Sequence, residues 1–358
     1  MTDMKVKQRM GVGGSHYTKM AVVSCACVVG IVIFLAVLPG SDLPDRPAGD
    51  NNLCHNGIES SFAHSENKPV FIKGGRFVMG SNRHRPEERS EHEVTVSDFL
   101  IDRYEVTNSQ FTAFVEATAY VTVAERQPRA EDYPGADPDI LVPGSAVFVA
   151  PTDFSGGGNI LSWWQYVPGA NWRHPSGSDS TIEGLENHPV VHIAWEDAQA
   201  YAGWLGRELP TETQWEYAAR GGTGDNTNYA WGNKMRPDGH WMANTWQGLF
   251  PVRNSTEDGY RATAPVGCFP PNDYGLYDMI GNVWELTSDT YRAGHTGAPA
   301  NARATTSSTE YVLKGGSFLC SPNFCARYRP PARQPQEADT GTSHAGFRTV
   351  LNIGSASK

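Results

Sequence analysis

The chain has 358 residues with 29 Lys+Arg against 39 Asp+Glu, a formal charge of −10, and six cysteines. At 39% hydrophobic and 11% aromatic it can bury a large core, which excludes wholesale disorder. The acidic balance argues against a protein that coats nucleic acid through bulk positive charge, and 37 Gly plus 24 Pro with only 19% charged residues argue against long helical bundles and coiled coils.

In chain order, residues 1–19 form a basic head (Lys5, Lys7, Arg9, Lys19), and Met20 to Leu38 form an uninterrupted apolar run. Such a run is long enough to cross the roughly 30 Å hydrocarbon layer as a helix. Pro39-Gly40 and Ser41-Asp42 end it, which is the charge order of an export signal or signal anchor. Hydrophobicity on every face, next to a basic head, argues against a buried core helix. The run exceeds a usual signal core and the small-residue site around Leu35-Ala36-Val37 is imperfect, so an anchor is expected over a cleaved signal. Everything after Pro39 is then expected outside the cytoplasm, in a periplasm, at a cell surface or in the endoplasmic reticulum lumen. Residues 39–65, rich in Pro, Asp, Asn and Ser, read as a linker that contains Cys54.

The rest, 66–354, reads as one domain. The segment from Lys68 to Ser81 gives two short β-rich runs split by Gly74-Gly75, which predicts a hairpin. Glu93 to Ser97 and Phe99 to Ile101 continue the strand pattern. Thr107 with Gln110 forms a T-x-x-Q capping box before Phe111, Phe114 and Val115 at helical spacing. Ala198, Tyr201, Ala202 and Leu205 mark a second helix, and Thr211 with Gln214 opens a third that Arg220-Gly221-Gly222 stops. The remainder is short strand and long loop.

The stretch from Val312 to Arg333 holds Cys320 and Cys325. In an exported protein two cysteines at that spacing default to a disulfide. The functional alternative is a pair of thiolates converging on a soft metal or on a substrate thiol. Arg327, Arg329 and Arg333 either lower the thiol pKa values or form structural ion pairs. His188 and His192 stand at i, i+4 like a zinc pair, but Pro189 breaks that helix, so they read as strand or loop residues. No H-E-x-x-H, G-x-S-x-G or P-loop string occurs. Trp163, Trp164 and Trp172 either line a peptide groove or belong to the core.

The string GGSFLCxxxxCARYR with the terminal GFR resembles the formylglycine-generating enzyme family, the sulfatase-modifying factors. The likeness extends over nearly the whole body through GGRFVMGS, IDRYEVTNSQF, NWRHPSG, WEYAARGG, NTWQGLFPVRNSTEDGY and GNVWE. It implies an α+β, irregular, loop-rich fold of the C-type-lectin-like kind, with short helices and small antiparallel sheets. It implies oxygen-dependent conversion of the cysteine in the Cys-x-Pro-x-Arg motif of unfolded sulfatases to Cα-formylglycine. Cys320 and Cys325 would hold Cu(I), with molecular oxygen as co-substrate and Ser317 as an active-site serine. Ser343, Arg333 and Trp172 would border the substrate groove.

The resemblance also implies two calcium sites. Asn244, Thr245, Asp258 and Tyr260 would form one, and Asp278, Gly281, Val283 and Glu285 the other, with Thr245, Tyr260, Gly281 and Val283 giving backbone carbonyls. Three departures stand out. Ser321 replaces a His of the animal enzymes, Pro330 replaces one of their cysteines, and Asp278 stands where an Asn is common. Cys54 and Cys268 either pair or stay free, and Cys25 and Cys27 lie inside the apolar run. Partners implied are sulfatase polypeptides and, through residues 20–38, a membrane, with no nucleic acid. The competing readings are a lectin-like binding module with a Cys320–Cys325 disulfide and a non-haem iron sulfoxide synthase. The second of these needs a helical domain for which the chain has no room.

Overall fold

The computed structural model describes residues 68–133, 135, 141–151, 163–222, 227–295 and 309–353. The basic head, the apolar run 20–38, the linker and Cys54 lie outside them. No helix among the described residues is long and apolar enough to cross a membrane.

Eleven strands and three α-helices occur among the described residues. The strands are β1 (Val70–Ile72), β2 (Gly75–Met79), β3 (His92–Val96), β4 (Phe99–Ile101), β5 (Gly144–Phe148), β6 (Trp164–Pro168), β7 (Trp284–Thr290), β8 (Glu310–Lys314), β9 (Arg333–Glu337), β10 (Ala345–Gly346) and β11 (Val350–Asn352). The helices are α1 (Asn108–Thr118), α2 (Trp195–Trp204) and α3 (Glu212–Arg220). All are short, and loops carry most of the chain, as the Gly/Pro content requires.

The predicted capping boxes are both present. Gln110 N–H donates to Thr107 Oγ1 at 3.3 Å and Thr107 N–H to Gln110 Oε1 at 3.0 Å. Thr211 and Gln214 repeat the exchange at 3.1 and 3.0 Å. Each satisfies two of the donors that a helix start leaves unpaired.

The hairpin expected at Gly74-Gly75 does not form. β1 pairs with β4, which also pairs with β11, whereas β2 pairs with β3 in a separate sheet. The glycines serve a close approach instead, because a Cβ on Gly74 would lie 2.2 Å from the Val96 carbonyl oxygen. The largest sheet runs β10-β7-β8-β9, antiparallel except for β10 beside β7, which is parallel. The small antiparallel sheets expected are found, with that one parallel pair.

One core cluster packs α1 and α2 against this sheet through Phe111, Phe114, Tyr201, Trp284 and Phe347, and it reaches Cys320, Cys325 and Tyr328. Rings in it meet edge to face, Phe111 with Phe114 at 5.3 Å and with Trp172 at 5.1 Å. Each such side chain removed from water contributes roughly 1.5–3 kcal/mol. A second cluster joins β1–β4 to α3 through Trp215.

Helix α3 is also fixed to the sheet by buried charge. Lys314 on β8 lies 3.0 Å from Glu216 and 3.3 Å from Glu212, Arg220 pairs with Glu216 at 2.7 Å, and Arg333 on β9 donates to Glu212 at 2.8 and 2.9 Å. Burial opposes ionisation of Glu216, yet Lys314 and Arg220 outweigh it and hold its carboxyl at about 2. Removing one partner of such a set leaves a buried charge uncompensated, so Lys314→Met is expected to cost about 3–5 kcal/mol in urea melts. Because an unfolded glutamate titrates near ~4.3, Glu216 stabilises the fold fully above that pH and loses its contribution as pH falls toward about 2. Glu216→Gln should therefore lower stability at neutral pH and flatten the acid limb of the stability curve in that window.

Candidate functional site

The loop between β8 and β9, residues 315–332, carries the two cysteines. Two tight turns fold it on itself. The Ser317 carbonyl accepts Cys320 N–H at 2.9 Å, and the Ser321 carbonyl accepts the N–H groups of Phe324, Cys325 and Ala326 at 3.2, 3.1 and 2.9 Å. These turns bring Cys320 Sγ to 2.7 Å from Cys325 Sγ. Both cysteines are buried and both are free thiols, so the disulfide that spacing alone favours is not the state found. Cys268 is disulfide-bonded, which settles one half of the choice left open for it.

Neighbouring elements hold the turn from both sides. Trp246 N–H donates to the Cys320 carbonyl at 3.1 Å, and the Asn323 amide meets both the N–H and the carbonyl of Phe250 at 3.4 Å. From the other side the short 3-10 turn Pro86–Glu88 supplies the clamp. Arg85 donates to the Cys325 carbonyl at 2.6 Å, Glu87 pairs with Arg327 at 2.6 Å, and Glu88 takes both arms of Arg329 at 2.7 Å.

The two thiols are not equivalent. Burial pushes Cys320 well up, and its hydrogen bond and repulsion with Cys325 add to that. The hydrogen bond from Cys320 lowers Cys325 against the cost of burial, and the Arg327 guanidinium helps bring it to about 7. The pair thus holds one thiolate and one proton near neutrality, a nucleophilic, soft donor set.

Ser317 is fully buried beside this pair, its Oγ accepting Leu319 N–H at 3.2 Å. Ser321 is equally buried and donates to Asn323 Oδ1. Ser343 is held against β5, where its Oγ accepts Phe148 N–H at 3.1 Å. Phe148 stacks on Phe250 at 5.5 Å, and Phe250 on Phe324 at 4.6 Å, so an aromatic train joins Ser343 to the cysteine turn. Trp163 meets Phe250 and Phe324 edge-on, and Trp164 lies 4.6 Å from the His344 ring.

Two groove expectations are corrected. Trp172 is only 1% exposed and packs in the core against Phe111, and Arg333 is 2% exposed with its guanidinium committed to Glu212 and the Arg292 carbonyl. Neither presents surface to a substrate. His188 and His192 sit in loop, as read from Pro189. His192 is buried between Ser145 Oγ and the Pro175 carbonyl, both at 2.8 Å.

The residues named for the two oxygen-rich clusters make the following contacts. Asp258 accepts the N–H groups of Thr245 and Tyr260 at 3.1 and 3.0 Å, and burial raises its carboxyl to about 6. Asn244 donates to the Ala262 carbonyl at 2.8 Å, while its Oδ1 is buried without a hydrogen-bond partner. In the second cluster burial, with Glu285 adding repulsion, raises Asp278 to about 6. Glu285 itself is held by Arg348 at 2.7 and 2.8 Å and by Trp215 Nε1 at 2.8 Å.

Sequence reasoning missed Glu105. It is fully buried, driven well up first by burial and then by Asp278 and Glu285, and it takes Asn282 Nδ2 at 2.6 Å. Its sequence neighbours, Tyr104 and Val106, do not mark it. Gly281 links the clusters, since a Cβ there would sit 2.4 Å from the Asn244 carbonyl oxygen. No group of three or more His, Cys, Asp or Glu side chains that could hold a metal converges among the described residues. The clusters rely on amide and carbonyl oxygens beside one or two carboxylates.

Fold and site together define a loop-built α+β domain that displays a buried, partly ionised dithiol. Residues 57–353 match the sulfatase-modifying factor enzyme 1-like domain. The chain is 50% identical over 295 residues to the formylglycine-generating enzyme of Mycobacterium tuberculosis, covering 79% of this chain and 97% of that one. It is 44% identical over 293 residues to the enzyme of the same name from Mus musculus, covering 80% and 75%. It is 39% identical over 293 residues to the mouse inactive C-alpha-formylglycine-generating enzyme 2, covering 80% and 86%. PvdO from Pseudomonas aeruginosa superposes with a TM-score of 0.50 at 26% identity, over 80% of this chain and 94% of that one. The chain belongs to the formylglycine-generating enzyme family, the sulfatase-modifying factors.

In the metal-free protein the thiolate absorbance is expected to rise near pH 7 through Cys325. Cys325→Ser should remove that step, and Arg327→Gln should move it up by about 1 pH unit, the lower end of a neighbouring-charge effect.

Proposed function

We propose that this enzyme oxidises the cysteine in Cys-x-Pro-x-Arg segments of sulfatases to Cα-formylglycine, using molecular oxygen and Cu(I) held by Cys320 and Cys325. The observation that carries the reading is the pair of buried free thiols 2.7 Å apart, in a chain half identical to a named formylglycine-generating enzyme. The donor set fits the ion. Two sulfurs that already share one proton suit a soft monovalent metal over oxygen-seeking cations. Bound there, copper would supply the activation of oxygen at the substrate sulfur.

The chain's own residues do the rest. Arg327 stabilises the Cys325 thiolate, so a metal displaces only the proton on Cys320. The Ser321 carbonyl, Asn323 and Arg85 fix the turn, keeping both sulfurs on one side of it. Ser317, buried at the base of the turn, sets the Cys320 backbone through its carbonyl. The aromatic train of Phe148, Phe250 and Phe324 keeps bulk water from one flank, while Phe324, 41% exposed, faces an arriving polypeptide.

Ca²⁺ orders the two oxygen-rich clusters in this reading. Asn244 Oδ1, buried without a donor against it, is the support for the first site, together with the Asp258 carboxyl that burial holds near 6. At the second, the support is Asp278 and Glu285, two carboxyl groups that repel each other, although Glu285 is also paired with Arg348. The domain works outside the cytoplasm, tethered through residues 20–38. The support is the apolar run behind a basic head.

Purified protein with Cu(I), oxygen and a Cys-x-Pro-x-Arg peptide should convert the cysteine –CH₂SH to –CHO, read as the corresponding mass loss. An unchanged peptide overturns the activity. Cys320→Ser and Cys325→Ser should each abolish conversion while leaving the melting curve cooperative. Calcium at about 100 times its dissociation constant should stabilise the metal-free protein by about 2.7 kcal/mol for each site that saturates. Asn244→Ala should remove the share owed to the first site.

A further inference from the structure

A cleft of about 540 Å³ opens on the flank of the cysteine turn, within the size range of ligand pockets. Its wall includes Pro322 and Asn323, the residues between the two cysteines, and Tyr328, whose phenol lies close enough to both thiols to feel their charge. Trp246, also in the wall, donates its N–H to the Cys320 carbonyl. The cleft is therefore built on the same backbone that carries the sulfurs. Met235 and Leu249 complete an apolar lining, and Leu249 is 55% exposed, a large aliphatic side chain in water at the cleft edge.

Polar groups are few. Arg236 pairs with Glu257 at 3.0 Å and lies over the Trp241 ring at 4.4 Å. Trp241 Nε1, buried, has no acceptor among the described residues. The lining charges thus cancel, which does not suit a nucleotide or another charged small ligand.

We propose that this cleft is a specificity subsite for the client polypeptide, taking a large aliphatic or aromatic side chain close to the reacting cysteine. The proposal rests on the oxidase reading and deepens it. The cleft shares Pro322 and Asn323 with the cysteine turn, so a client segment whose cysteine sits at the sulfurs passes beside it. An unfolded chain is also the partner that exposes apolar side chains to such a lining.

The test scans Leu through each position on both sides of Cys-x-Pro-x-Arg in fluorescent peptides whose cysteine is replaced by serine. Binding to the full chain is followed by anisotropy, and turnover of the cysteine versions is measured in parallel. One position should tighten binding at least fivefold over Ser at that position, with KM falling and kcat unmoved. In Leu249→Glu and Met235→Ser that advantage should shrink to near one. Equal binding at every position, or an advantage that survives both substitutions, overturns the subsite. Concentration-dependent dimerisation of the enzyme that Leu249→Glu abolishes would also overturn it, assigning the cleft to a second copy. If the peptides bind as expected but none is oxidised, the activity reading fails while the subsite stands.

Discussion

Arg348 and Glu285 form the ion pair on which the centre of the molecule depends. Both are buried, joined at 2.7 and 2.8 Å, and Arg348 also donates to the carbonyls of Asp102 and Tyr277. One side chain near the C-terminus thereby holds the start of β7, the end of β4 and the turn before Met279. Glu285 in turn fixes the indole of Trp215, which packs α3 on the second core cluster. Arginine's fork of donors suits this position, because five N–H groups meet oxygens arranged around one plane. Glu105 and Asp278 stand within electrostatic reach of the same guanidinium, so three carboxylates depend on one buried cation.

The reactive turn is held by a parallel device. Residues 85–88 contribute nothing to the sulfurs directly, yet they bond both Cys325 and the two arginines that follow it. Such an anchor is distant in sequence and close in space. It spares the 315–332 loop from needing regular structure of its own, and it leaves the thiol geometry set by ion pairs that are only partly in solvent.

Much of this was legible beforehand. The capping boxes at Thr107 and Thr211 reveal themselves because both partners lie within four residues, and local chemistry decides the outcome. The thiol pair was legible from its motif. What escaped depends on contacts across the chain. Gly74-Gly75 has the composition of a turn, but the packing of Val96 against it, far along the sequence, decides that β1 and β2 part company. Arg333 and Trp172 have the chemistry of substrate contacts, and only the positions of Glu212 and Phe111 show them to be interior. Glu105 gave no signal because its partners, Asn282, Asp278 and Glu285, lie far from it along the chain.

The same domain thus separates two kinds of donor. Around the thiols, Arg85, Arg327 and Arg329 bring positive charge that Glu87 and Glu88 only balance. A hard divalent cation gains nothing there, since the available ligands are sulfur and the carboxylates are already paired. Around Asp258 the reverse holds, with a carboxylate, an unmatched amide oxygen and backbone groups. The Arg327 guanidinium beside the dithiol favours its ionised form, whereas burial raises the Asp258 carboxyl.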